Sequence, residues 1–224
     1  LGIAFEAGGT APDDAMRVPS PPGAGDASPY LFCAQSAQKL HPGHDALFAA
    51  IAADNPGLPI VLVPHHKAHV RDALFQRMGA AFRAQGLDPA QHLVLLHGLG
   101  LAQFLAVARG AHVLLDSLDW SGGNTTLEAL HYDVPAVTLP GATLRSRHTA
   151  GILTLAGWRE GIVSDVRAYV AQVKRLASDA DANAGARARI AAGKAGAYAG
   201  DAALRSLRDA LGALLESAAA GVVR

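Results

Sequence analysis

The residue types best suited to chemistry fall in Ser121-Gly122-Gly123-Asn124-Thr125-Thr126, where two glycines and two threonines precede an apolar-patterned helix. The first turn of a helix leaves backbone N–H groups without intrahelical partners, and the macrodipole makes that end partly positive. Glycines ahead of it let a ligand approach the backbone closely. Such a turn can cradle a pyrophosphate through N–H groups and threonine hydroxyls, which makes a nucleotide or nucleotide-sugar site the working expectation. The same pattern also suits an ordinary tight strand-to-helix connection.

Neighbouring residues carry paired readings of the same kind. Thr125-Thr126-Leu127-Glu128 fits a capping box in which Glu128 bonds back to the cap residue. A carboxylate at Glu128 can equally accept two hydrogen bonds from a ribose diol. Lys39 follows a strand end and precedes His41-Pro42, so it either pairs with a phosphate as a point charge or is solvated. His97, inside Leu96-His97-Gly98-Leu99-Gly100, is a base or a plain loop residue. His65, His66 and His69 invite a metal, but no carboxylate or cysteine completes the set, and no metal site is expected. Arg145, Arg147 and His148 form either a polar surface or an anion-facing edge on a helix after Pro140-Gly141. Neither a GxSxG elbow nor a P-loop lysine occurs, which removes support for those hydrolase and nucleotidase classes.

The elements that must hold these residues are readable from apolar runs and breakers. Tyr30–Cys33, Ile60–Val63, His92–Leu96, Val113–Leu115 and Pro135–Leu139 read as strands without internal polar alternation. Helices are expected at His44–Ala53, Ala68–Gln85, Gln103–Arg109, from Thr125, at Thr143–Leu155, and from an Asp165 cap through Ser178. Strand and helix in alternation predict an α/β fold, a Rossmann-like parallel sheet with helices on both faces. Ligands of such sheets sit beyond the carboxyl ends of the strands. Four polar exits, Gln35–Lys39, His65–Lys67, His97–Leu101 and Asp116–Asn124, are therefore expected on one edge. Residues 1–29 read as an interdomain segment with a linker from Val18 to Gly25, residues 30–180 as the nucleotide-sugar-binding domain, and residues 181–224 as an Ala-rich helical tail.

Of the 224 residues, half are apolar and 17% charged, enough to build a core, and the zero net charge gives no case for nucleic acid. No apolar run is long enough to span a bilayer, so no membrane partner is expected. The single cysteine, Cys33, leaves no internal disulfide and fits a reducing, cytoplasmic setting. The chain begins at Leu1 and reads as a piece of something longer.

Several of these motifs together resemble a known family. Phe32-Cys33-Ala34-Gln35-Ser36 with Lys39 and His41-Pro42, then His112–Asp116, Trp120–Leu130, Val134–Gly141, and Arg145–His148 follow one colinear order. From Tyr30 to Asp165 the chain resembles bacterial proteins similar to O-linked N-acetylglucosamine transferases and plant SPINDLY. The resemblance implies the C-terminal, donor-binding half of a GT-B glycosyltransferase, metal-independent and inverting, with a UDP-sugar as donor and no cofactor. It implies that Lys39 contacts the diphosphate and stabilises the leaving group, with Gln35 nearby. It further implies that Gly122, Gly123, Asn124 and Thr125 receive the phosphates, that Glu128 holds the ribose, and that the backbone at Gly98 and Leu99 meets uracil. This chain differs from animal members in having Leu101, Phe104 and Val107 around the uracil position, and Gly123 in place of a histidine. The catalytic half and the tetratricopeptide repeats that select a protein acceptor are not in this sequence. The expected activity is transfer of N-acetylglucosamine to protein Ser or Thr, with the isolated chain inactive. A scaffold module without activity and a sugar-nucleotide epimerase are the alternatives, and glucose or fucose the alternative sugars.

Overall fold

A computed structural model describes residues 10–19, 29–64 and 66–219. Five strands, β1 (Leu31–Cys33), β2 (Ile60–Leu62), β3 (Leu93–Leu95), β4 (Val113–Leu115) and β5 (Ala136–Val137), form one sheet in the order β3-β2-β1-β4-β5. Every pairing is parallel; Leu31 stands opposite both Ile60 and Val113. The strand residues of β1, β2, β4 and β5 are all buried, as a sheet covered on both faces requires. The chain builds outward from β1 to β3 and then returns to place β4 beside β1. That reversal opens a crevice at the carboxyl ends of β1 and β4.

The helices follow the connections: α1 (Gly43–Asp54), α2 (Ala68–Ala84), α3 (Pro89–His92), α4 (Leu101–Gly110), α5 (Asn124–His131), α6 (His148–Leu155) and α7 (Val166–Ser178). Helices α1, α2 and α7 pack together and α4 packs on α5, giving one layer on each face. Asp165 caps α7, its carboxylate accepting from Ala168 N at 2.8 Å. The short α3 was not expected from sequence; Pro89 at its first position and the Asp88 side chain bonded to Ala90 N start it locally. Phe32, Phe48, Trp158 and Tyr169 are fully buried at the centre.

The expected helix over Thr143–Leu155 is broken. Leu144–Ser146 make a 3-10 turn, Arg147 leaves the helical region, and α6 starts at His148. The reason is tertiary: Ser121 N and Ser121 Oγ both donate to the Arg145 carbonyl, at 2.9 and 3.0 Å. A carbonyl committed there cannot accept a hydrogen bond along a continuous helix. Ile162 extends the sheet edge through a parallel bridge to Thr138.

After α7 come α8 (Ala180–Gly193), α9 (Ala195–Tyr198) and α10 (Asp201–Ala219). Asn183 Nδ2 donates to His112 O and Leu176 O, and Arg187 to Ala111 O, so α8 ties to the start of β4. Gly193 lies against the end of α6, where an added Cβ would stand 2.2 Å from Ala156 O. By contrast α10 exposes Leu204, Leu207, Leu211, Leu214 and Leu215. Within residues 10–19, Asp13 N donates to Ala102 O and Asp14 pairs with Arg109, while Met16 and Val18 pack against the core. The remainder of the expected linker lies outside the described residues. No helix among the described residues is long and apolar enough to cross a membrane.

His44 fixes where the β4 exit passes over α1. Its Nε2 accepts from Leu118 N at 2.7 Å while Nδ1 faces His41 O at 3.0 Å, an arrangement that requires the neutral Nδ1–H tautomer. Burial pushes its pKa down to about 4; the His41 carbonyl pulls upward, and His41 and Arg77 add to the lowering.

Two outcomes test this packing. Gly193→Ala should lower stability by about 1–3 kcal/mol, read as a lower urea midpoint, whereas Gly185→Ala, which meets open space on the same helix, should not destabilise. As pH falls from the ordinary histidine range through 4, the unfolded chain binds a proton that folded His44 refuses, so stability should fall by about 3 kcal/mol. Urea midpoints measured across that range on the protein and on His44→Gln check this. The substitution should remove that part of the slope.

Candidate functional site

At the carboxyl end of β4 the chain buries a carboxylate. Asp116 is 1% exposed, and its two oxygens accept from Gly122 N at 2.7 Å and Thr138 Oγ1 at 2.6 Å. Its carbonyl accepts from Tyr169 OH at 2.9 Å. Burial pushes its pKa up, and the bonds from Thr138 and Gly122 oppose that shift. One side chain thus joins the β4 exit to the glycine turn and to the β5 exit.

The two glycines of the turn have different jobs. A Cβ on Gly122 would stand 2.3 Å from Thr126 Oγ1 and 2.7 Å from Gln35 Nε2, so close packing excludes any side chain there. A Cβ on Gly123 would meet nothing within 4 Å. Gly123 therefore faces open space directly ahead of α5, whose first turn carries no acidic residue and no side-chain cap. The amino end of α5 presents an uncompensated positive dipole to that space. Thr126 Oγ1 lies 3.0 Å from Thr149 Oγ1, and Thr149 Oγ1 bonds Gly122 O at 3.2 Å, which anchors the turn to α6.

Across the β1–β4 crevice, Lys39 Nζ donates to Gln35 Oε1 at 2.9 Å and to Ser121 O at 3.3 Å. Gln35 Nε2 in turn donates to Thr125 Oγ1 at 3.3 Å. Gln35, Lys39, Gly122, Gly123, Asn124 and Thr125 therefore come together, although some 90 positions separate Gln35 from Thr125. Burial lowers the Lys39 pKa, against the pull of Asp116. The arrangement sets one ammonium near one helix amino end, groups whose charge and N–H donors suit an anion.

Gly98 and Leu99 sit apart, at the exit of β3. Gly98 has φ +68°, a left-handed turn that favours glycine. With sheet neighbours spaced about 4.8 Å, three spacings put this loop roughly 14 Å from the β4 exit, a span a nucleotide can bridge. Glu128 is half-buried and accepts no hydrogen bond among the described residues; burial pushes its carboxyl pKa up. The capping-box expectation fails. Gly123 is the cap, so Thr126 occupies the third helical position and Glu128 lies too far along to reach back. His65 lies outside the described residues, and among those described no cluster of His, Cys, Asp or Glu is arranged to hold a metal.

Three participants, Asp116, Ser121 and Trp120, lie inside stretches the sequence singles out, but their individual roles are not readable there. Asp116 could have been found as a charged residue ending an apolar strand just before a glycine turn. Ser121 accepts from His148 N and Thr149 N and so caps α6 from 27 positions away, a link with no local signal. Trp120 is 43% exposed, with Lys39 Nζ 5.7 Å and Arg145 Cζ 5.2 Å from its ring centre.

No protein-family model and no curated protein matches the chain. Among solved structures, a mutant of the Thermobaculum terrenum O-GlcNAc transferase is similar with TM-score 0.73 and 25% identity, covering 90% of this chain and 38% of that one. The UDP-forming alpha,alpha-trehalose-phosphate synthase of Burkholderia xenovorans, in complex with glucose-6-phosphate, gives 0.52 and 16%, covering 77% and 40%. The UDP-GlcNAc 2-epimerase of Neisseria meningitidis, bound to UDP-GlcNAc, gives 0.50 and 13%, covering 81% and 44%. The last two likenesses concern the fold. The chain spans about two fifths of the length of each of these proteins. It has the Rossmann-like fold of the C-terminal half of a GT-B glycosyltransferase, and it is similar to that half of an O-GlcNAc transferase.

Proposed function

We propose that this chain is the donor-binding half of an inverting glycosyltransferase that uses a UDP-sugar and passes N-acetylglucosamine to protein Ser or Thr. The observation that carries the reading is Lys39 held by Gln35 and Ser121 beside the open amino end of α5, at the point where strand order reverses. The similarity to an O-GlcNAc transferase supports this choice of donor and acceptor.

In this reading the diphosphate lies over Gly123, Asn124 and Thr125, with Lys39 against it. The ribose diol reaches Glu128, and uracil lies against the backbone at Gly98 and Leu99. An acceptor hydroxyl attacks the anomeric carbon, and the bond from that carbon to the β-phosphate oxygen breaks with its electrons on the phosphate. The Lys39 ammonium and the α5 N–H groups stabilise that charge where a metal-dependent enzyme would use a cation. The hydroxyl proton goes to a base outside this chain, in the half that also holds the acceptor. No cofactor is needed.

Isothermal titration with UDP tests the site. The protein should bind UDP, and Lys39→Ala should weaken binding about 10- to 100-fold through loss of a charge-assisted contact. Glu128→Ala should weaken UDP about tenfold while leaving 2′-deoxy-UDP nearly unchanged, since the carboxylate reads the diol. A folded protein that ignores millimolar UDP would falsify the assignment.

A further inference from the structure

The crevice carries a second cation that the donor-site reading does not use. Arg145 is exposed, and its guanidinium lies 5.2 Å from the centre of the Trp120 ring. Lys39 Nζ lies 5.7 Å from the same centre. Among the described residues neither cation has a carboxylate partner: the ion pairs lie elsewhere, and Lys39 donates only to an amide and a main-chain carbonyl. The two carboxylates of this loop face groups other than these cations. Asp119 lies 3.0 Å from His41 Nε2, and Asp116 is buried beneath the turn on Gly122 and Thr138.

The backbone holds this pair in place. Ser117 Oγ donates to Trp120 O at 2.6 Å, Trp120 N donates to Leu118 O at 2.7 Å, and Asp119 sits at φ 60°. The next residue, Ser121, grips the Arg145 carbonyl with both its N–H and its hydroxyl. Ring and guanidinium are thus set by one junction. An exposed tryptophan adds nothing to the core, and two like charges gathered on one ring repel each other unless an anion joins them.

We propose that Arg145, presented by Trp120, is the second cation for the donor diphosphate, and that with Lys39 it selects nucleoside diphosphates over monophosphates without a divalent ion. The proposal rests on the donor-site reading of Lys39. A planar guanidinium offers paired N–H donors to phosphate oxygens, while Lys39 acts as a point charge near the same ring. Trp120 is a positioning residue: it contributes no charge but fixes where the Arg145 charge stands.

The test is titration of UDP and UMP in the presence of EDTA, with circular dichroism to establish that each variant is folded. The protein should bind UDP more tightly than UMP. Arg145→Gln should weaken UDP about tenfold and leave UMP within twofold, and Trp120→Leu should weaken UDP about threefold. Arg159→Gln, an equal loss of charge at an exposed position outside this cluster, should change neither. If the protein prefers UDP and Arg145→Gln keeps the full preference, the second-cation role is wrong while the donor site stands. If the protein binds neither nucleotide, the donor-site reading fails and the role of Arg145 falls with it.

Discussion

Asp116 is a carboxylate almost fully withdrawn from water, and the crevice is built around satisfying it. A buried charge without partners is costly, so its oxygens need fixed donors. Gly122 N supplies one and Thr138 Oγ1 the other. The first donor pins the glycine turn against the end of β4, and the second pins the exit of β5 beside it. Once Gly122 is pinned, no side chain fits between Thr126 and Gln35, which explains a glycine at a position with no unusual φ. The open face of Gly123 and the start of α5 follow from the same contact.

Ser121 extends that order outward. It accepts from the first N–H groups of α6, donates twice to Arg145 O, and offers its own carbonyl to Lys39. Four pieces of chain therefore depend on one small residue: the turn, α6, the Arg145 segment and the β1 exit. Gln35, Lys39, Ser121 and Gly122 are held by hydrogen bonds to one another and to the scaffold. Groups fixed in this way are organised before any ligand arrives, the condition under which fixed donors stabilise charge best.

The sheet and most helices were legible because their signals are local. Leu31–Cys33 and Ile60–Leu62 are apolar on every residue, Gly86 stops α2, and Asp165 caps α7 within three residues. Lys39 and the Gly122–Thr125 turn were legible as candidates for the same reason: residue type and position after a strand are enough to single them out. Of the two readings of Glu128, the capping box does not form, because the helix start is set by Asp116 drawing in Gly122 and not by the threonines. The continuous helix over Thr143–Leu155 was misread because its breaker, Ser121, is distant in sequence.

Residue types and apolar runs by themselves determined a parallel α/β sheet, the edge at which its polar strand exits gather, and a glycine turn opening a helix there. Those properties follow from steric and solvation preferences that act within a few residues of one another. Tertiary structure alone decided that Gln35 and Lys39 meet Thr125 and Ser121, that α6 begins at His148, and that the exposed Trp120 ring has two cations 5.2 and 5.7 Å from its centre. Each of these depends on hydrogen bonds or ring contacts between segments that come together only when β4 returns to lie beside β1. Against that background the turn at Gly122 and Gly123 is two things at once: a packing necessity at the first glycine and an open approach at the second.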